Sequence, residues 1–301
     1  MSFRLRRTLI VTALAVSTGA GVEAKPEAGL WERFDHIPYS GARGPVESLE
    51  VRVDSWETGA AFPVVFGDGT TAVRNRIEHR HTNMQYRNRV SSKSVGRDID
   101  HLDLIEYKVY IAQRMSENWR AVVYLAPGFS GDFDSFDPGD SFVLAVAAGA
   151  LRDFGDRFML GGGIAYSRDF GRPLIVPVVH FKWRNGGSWS AKGTLPRNVI
   201  VTWRASDLVG VGVSGLVEGD RYCLNPADFG VDNPQMGYSV VTAGPAVYLH
   251  FSKWLHLILE AGTTVARKWE FRNGAAKIRE PDIERSLYGR VRVEVGIYSK
   301  R

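Results

Sequence analysis

The stretch 287–297 constrains the fold more than any other part of the chain. Leu287, Gly289, Val291, Val293, Val295 and Ile297 share one side of an extended segment, while Tyr288, Arg290, Arg292 and Glu294 share the other. Successive side chains of a β-strand point to opposite faces, so this pattern describes a strand with one apolar and one charged face. The apolar face suits lipid or a core. The charged face needs water or ion pairs.

The same alternation sets Ile105, Tyr107, Val109 and Ile111 against Glu106 and Lys108, and Ile175, Val179, Phe181 and Trp183 against His180, Lys182 and Arg184. Less contrasted strands are expected at 47–57, 73–87, 119–129, 141–153, 157–168, 188–194, 198–205, 208–217, 237–252 and 253–267. Turn signals at 115–118, 154–156, 184–187 and 205–207 are short enough for hairpins. They alternate with longer connections at 131–139, 218–236 and 272–285. Together these segments predict about 12 strands, within a range of 10–14. Short turns at one end and long loops at the other are the pattern of an outer-membrane barrel.

A chain of antiparallel strands removes its edges only by closing on itself, and in hydrocarbon closure is compulsory because unpaired backbone groups are costly there. Strands near ten residues are long enough to cross a bilayer when tilted. Aromatic residues at strand ends, Trp119, Phe129, Phe142, Trp183, Trp203, Tyr248, Trp254 and Tyr298, fit interfacial girdles. Charges in mid-strand exclude a dry soluble core. The expected fold is therefore an all-β, closed antiparallel transmembrane β-barrel, with a secreted β-sandwich as the alternative that period-2 alternation also fits.

Arg4, Arg6 and Arg7 precede an uncharged stretch, and Val22-Glu23-Ala24 offers small residues to a signal peptidase. Residues 1–24 are read as a secretory signal peptide, 25–44 as a short periplasmic N-terminal segment and 45–301 as the barrel domain. Removing the leader lowers the formal charge from +5 to +3, which together with export excludes nucleic acid as a partner. The single cysteine, Cys223, permits neither an internal disulfide nor a thiolate zinc site. Export through the secretory pathway to the cell outer membrane implies outer-membrane lipids, lipopolysaccharide and the barrel-insertion machinery as partners.

The residues Gly161-Gly162-Gly163-Ile164, Phe170-Gly171, Leu174-Ile175-Val176-Pro177, Trp183, Trp189, Leu195-Pro196 and the glycine-rich strand 209–215 resemble a family of uncharacterised outer-membrane β-barrel domains of Gram-negative bacteria. The resemblance covers roughly 49–298 and implies the barrel fold and the outer membrane. It brings no activity with it. One departure is that Tyr298 is followed by Ser299, Lys300 and Arg301, where many such barrels end on an aromatic residue.

Three clusters carry candidate chemistry. Asp132, Asp134, Asp137 and Asp140 crowd four carboxylates into one loop, but the sixth-position Gly and the closing Glu of a calcium loop are missing, so a solvated loop is expected. His79 and His81 share a strand face with Asn83 and Gln85, opposite Arg76, Glu78 and Arg80, which reads as a strand running beyond the membrane into water. His180, His250 and His256 lie on candidate strands with Ser252 near His250, without a nucleophile motif. Neither a metal site nor a cofactor is expected.

The candidate lumen-facing residues are Lys108, Lys182, Arg184, Lys192, Arg204, Arg290, Arg292, Glu106 and Glu294. Their cationic excess favours anions in a wet lumen. The alternative is that opposite charges pair across the interior and fill it. The expected function is a non-catalytic, porin-like channel or binding barrel for small solutes, anions among them. A lipid-modifying enzyme and a structural or surface-interaction barrel stand as alternatives.

Overall fold

The computed structural model describes residues 28–42, 49–66, 70–88, 99–134, 136–168, 173–274, 276–279 and 283–297. The expected leader at 1–24 and Tyr298 lie outside these residues. Among them are β1 (Ala28–Gly41), β2 (Leu49–Phe66), β3 (Thr71–Asn88), β4 (Ile99–Arg114) and β5 (Trp119–Gly131). After a single helical turn, α1 (Pro138–Ser141), come β6 (Phe142–Phe154), β7 (Phe158–Ser167), β8 (Leu174–Arg184), β9 (Trp189–Leu195), β10 (Asn198–Arg204) and β11 (Val209–Cys223). A second turn, α2 (Pro226–Phe229), precedes β12 (Pro234–His250), β13 (Leu255–Asn273), β14 (Ala276–Arg279) and β15 (Leu287–Ile297).

Each strand from β1 to β13 pairs antiparallel with the next, and β15 joins β13 to β1. The result is a closed antiparallel barrel of fourteen strands, with β14 a short addition to the loop end of β13. All-β architecture and closure are as expected; the count exceeds the expected 12 by two.

Part of that difference is β1. Within the expected periplasmic lead 25–44, Ala28–Gly41 is instead a wall strand, in register with β15 from Ala28↔Ile297 and with β2 from Gly29↔Ala61. Its inward residues Trp31, Arg33, Asp35 and Ile37 include two charges, so its composition looks like that of a soluble segment. Those charges pair with each other at 2.9 Å and with partners on other strands, Arg33 with Glu218 and Asp35 with Arg290. The expected loop 218–236 is corrected for the same reason: β11 continues through Glu218, Asp220 and Tyr222 to Cys223, and β12 begins at Pro234.

Short turns at 115–118, 155–157, 185–188, 205–208 and 251–254 lie at one end, together with Ala28 and Ile297. At the opposite, loop end the ring is pinched. There β11 meets β5 in a parallel bridge, Cys223 opposite Gly131, and Asp132 N donates to Cys223 O at 3.1 Å. The shorter strands β6–β10 are left below this seam. Above it, a fully buried apolar cluster fills the interior, including Met84, Leu102, Tyr222, Met236 and Trp269.

The outer surface carries a broad apolar band. Ile175 is 77% exposed, Leu287 72% and Ile164 63%, although each alternates with half-buried or buried neighbours on its strand. Trp119, Phe154, Trp183, Trp189, Trp203 and Trp254 are exposed at the short-turn end, and Phe129, Phe142 and Tyr166 toward the loop end. Tyr248, expected in a girdle, instead points inward and packs with Ala246 and Ile258.

Candidate functional site

Below the apolar cluster the interior is crossed by a belt of ion pairs. Inward parity places Arg33 and Asp35 on β1, Glu57 on β2, Arg80 on β3, Glu218 and Asp220 on β11, Glu260 on β13 and Arg290 on β15. Arg33 Nη2 donates to Glu218 Oε1 at 2.7 Å, and Arg290 Nη2 to Glu218 Oε2 at 2.8 Å. Arg80 Nη1 donates to Asp220 Oδ2 at 2.6 Å and its Nη2 to Glu57 Oε2 at 2.9 Å. Arg290 also reaches Asp35 at 2.5 Å and Glu260 at 3.1 Å. The belt thus ties β11 to β1, β3 and β15 across the lumen. A solvent-free carboxylate such as Glu57, 1% exposed, is tolerable only with this many donors.

Two glycines make room for the belt. At Gly59 an added Cβ would lie 2.2 Å from Trp31 Cζ2, so the absent side chain lets the Trp31 indole lie across β2 and donate Nε1–H to Glu57 at 3.1 Å. At Gly128 a Cβ would approach Glu106 Cγ to 2.9 Å.

A second group on β4 extends the belt. Lys108 Nζ donates to Glu106 at 3.0 Å and to Glu78, and Arg168, just past β7, donates to Glu106 at 2.8 Å.

Next to the belt, on the β3–β9 side, lies a cavity of about 240 Å3. Among the described residues its cationic lining is Arg74, Arg76, Arg80, Lys108, Arg168 and Arg197, against the carboxylates of Glu78, Glu106, Glu218 and Asp220. The rest of the wall mixes small or apolar residues, Val122, Ala145, Ala147, Ala165, Val176 and Val178, with the polar side chains of Tyr110, Tyr124, Ser167, His180 and Thr194. Alternation puts the small and apolar ones on the inner faces of β5–β8, where small residues leave the space that larger ones would fill.

The candidate lumen residues fall into three places. Lys108, Glu106, Arg290, Arg292 and Glu294 are buried inside, the last two 3.7 Å apart. Lys182 and Lys192 are cross-strand neighbours and half-buried, as is Arg184 one step further along. Arg204 stands at the short-turn rim, 45% exposed and 3.9 Å from Asp207 in the adjoining turn. Sequence reading missed Arg33, Asp35, Glu57, Arg80, Glu218 and Asp220, although Trp31-x-Arg33-x-Asp35 and Glu218-x-Asp220-x-Tyr222 both carry the period-2 signal.

The side chains of the other clusters bond to near neighbours. Asp137 caps α1 through Gly139 N and Asp140 N, Asp132 accepts from Asn225 N at 2.6 Å, and Asp140 from Asn233 at 2.8 Å. These carboxylates fasten the 132–141 loop to the β11–β12 connection. On the outer face of β3 and β4, His79 and His81 each bond Asp103, at 2.7 and 3.0 Å. Nearby His36 bonds Asp54 and Arg87 bonds Glu50, both at 2.6 Å, so this outer stretch is polar. His180 bonds Thr194 at 2.9 Å and His250 bonds His256 at 2.8 Å. Ser252 Oγ accepts from Trp254 N and Leu255 N within its turn, not from a histidine.

The family model described as "Domain of unknown function (DUF6268)" matches residues 70–296, well over half of the sequence. The chain belongs to the DUF6268 family. In this DUF6268 chain the match spans β3 to β15, so the belt residues Arg33, Asp35 and Glu57 precede it. Among solved structures the chain is similar to the NanC porin at 11% identity, covering 89% of this chain and 100% of that one with a TM-score of 0.38. It is also similar to an outer membrane channel from Pseudomonas putida F1 at 7% identity, covering 91% and 98% with a TM-score of 0.44. A third is the translocator domain of the autotransporter NalP from Neisseria meningitidis, at 12% identity, 97% and 94% coverage and a TM-score of 0.34. A comparison with curated proteins finds no match.

Proposed function

We propose that the protein is a transmembrane β-barrel of the outer membrane, exported by its N-terminal leader, which binds small solutes in a closed lumen and passes them only when that closure is relieved. The wall supports the membrane reading. On β5 the exposed aromatics Trp119 and Phe129 are ten residues apart. At about 3.4 Å per residue and a tilt of about 40° that is about 26 Å, the height of the apolar band of an outer-membrane barrel. Between them the outward residues are Ala121, Val123, Leu125 and Pro127. Outer-membrane lipid and lipopolysaccharide are the surroundings this band and the polar outer patch of β1–β4 suit.

The observation that carries the closed-lumen reading is the pairing of Glu218 with Arg33 and Arg290. It bars the lumen beneath a packed apolar cluster, whereas a diffusion pore keeps a continuous aqueous path. Planar-bilayer recording of the refolded protein tests this. The expected result is a silent or rarely opening wild type and a conducting Glu218→Gln/Asp220→Asn double variant. Steady large conductance from the wild type would overturn the reading.

A further inference from the structure

We infer that the cavity beside the belt is a binding site for a small amphipathic carboxylate, its charge taken by the arginines of the cavity wall and its apolar body by the inner faces of β5–β8. This deepens the closed-barrel reading above and rests on it.

The wall has two characters. Six cationic side chains against four carboxylates leave a positive excess of two among the described lining residues. The carboxylates are already committed: Glu218 to Arg33 and Arg290, Asp220 to Arg80, Glu106 and Glu78 to Lys108. Arg76, Arg80 and Arg168 line this space, and each keeps one guanidinium N–H, on Nε of Arg76 and Arg80 and on Nη1 of Arg168, without an acceptor among the described residues; these N–H groups are sealed from the cavity, so a bound anion engages them only after the side chain turns. Buried donors without acceptors are rare in folded proteins, and an anionic oxygen is the acceptor that suits a guanidinium best. The planar fork of arginine matches a carboxylate in particular.

The apolar part of the wall disfavours a purely polar anion. Ala145, Ala147, Ala165, Val122, Val176 and Val178 offer a bound ion no hydrogen-bonding side chain, so an inorganic anion would leave this surface in contact with water. A ligand with an apolar body covers it. An apolar cavity of about 150 Å3 is enough to bind benzene, so one of about 240 Å3 has room for a single small ring or short chain. Tyr110 and Tyr124, opposite each other on β4 and β5, add aromatic walls.

The test is calorimetric titration of the refolded, detergent-solubilised full-length protein with benzoate, benzamide, acetate and inorganic phosphate. Saturable benzoate binding is expected, with benzamide, acetate and phosphate each weaker by about tenfold or more. Arg76→Gln should weaken benzoate by about tenfold while leaving benzamide unchanged, and Arg76→Lys should recover most of the loss. Ala147→Leu, which fills the apolar side without touching a charge, should abolish benzoate binding. Heat-modifiable gel migration confirms that each variant is folded; if Arg76→Gln is not, the four-ligand comparison on the wild type and the Ala147→Leu variant still decide. Equal binding of benzoate and benzamide, equal binding of benzoate and acetate, or no saturable benzoate binding would each overturn the proposal. A wild type that conducts steadily yet discriminates these ligands would instead overturn the closed lumen and leave the ligand class standing.

Discussion

Arg290 and Glu218 are 72 positions apart in the chain and meet at 2.8 Å inside the barrel. The bond joins β15 to β11, three strands away around the ring, and Arg33 on β1 closes on the same carboxylate. Neither strand could hold its inward charge alone in a dry interior, so the walls and the belt stabilise one another.

Removing one member of this belt should therefore be costly. Glu218→Gln leaves Arg33 and Arg290 with a neutral partner, and a loss of about 3–5 kcal/mol is expected. Asp207→Asn, which removes the exposed partner of Arg204, should change stability by less than about 1 kcal/mol. Urea unfolding of the refolded barrel in lipid vesicles compares the two, and equal small losses would show that the belt is not needed for stability.

Gly59→Ala puts a methyl group into the space occupied by the Trp31 indole, 2.2 Å from Cζ2 and 2.8 Å from Ile77 O. The backbone oxygen cannot swing away as a flexible side chain can. A loss of about 1–3 kcal/mol is expected from overpacking, read as a lower unfolding midpoint.

The outward face should respond to charge according to depth. Val123 lies midway between Trp119 and Phe129 on the outer wall, and Val123→Arg should cost about 2–4 kcal/mol in a bilayer. Asn83→Arg, on the polar outer stretch of β3, should cost less than about 1 kcal/mol. If both substitutions were neutral, the wall would not face hydrocarbon.

Because β1 closes the ring, deleting 28–41 while keeping the leader exposes the paired edges of β2 and β15. The expected outcome is loss of heat-modifiable migration and absence from the outer-membrane fraction. Wild-type-like migration of this deletion would show that β1 is dispensable for closure.

Much of the fold was legible because alternation is a local property. Each strand carries its own two faces, so the inward placement of Glu106, Lys108, Arg290, Arg292 and Glu294 follows from the spacing of their apolar neighbours. Charged strands were the ones misread. Arg33 and Asp35 made β1 look like a soluble lead, and Glu218 and Asp220 made the end of β11 look like a loop, because residue type alone does not reveal a partner on a distant strand.

By itself, then, the sequence determined that the chain forms antiparallel strands with an apolar outside and a charged inside, since a two-residue period needs only neighbouring residues to express it. The tertiary structure alone decided that fourteen strands close the ring, that β11 bends against β5 above β6–β10, and that the lumen charges pair across the interior beside a cavity. These depend on contacts between residues far apart in the chain, such as Arg80 with Asp220. The attraction within such a pair is strengthened by the low-dielectric interior and offsets the cost of desolvating both charges, and only closure of the barrel brings the two together.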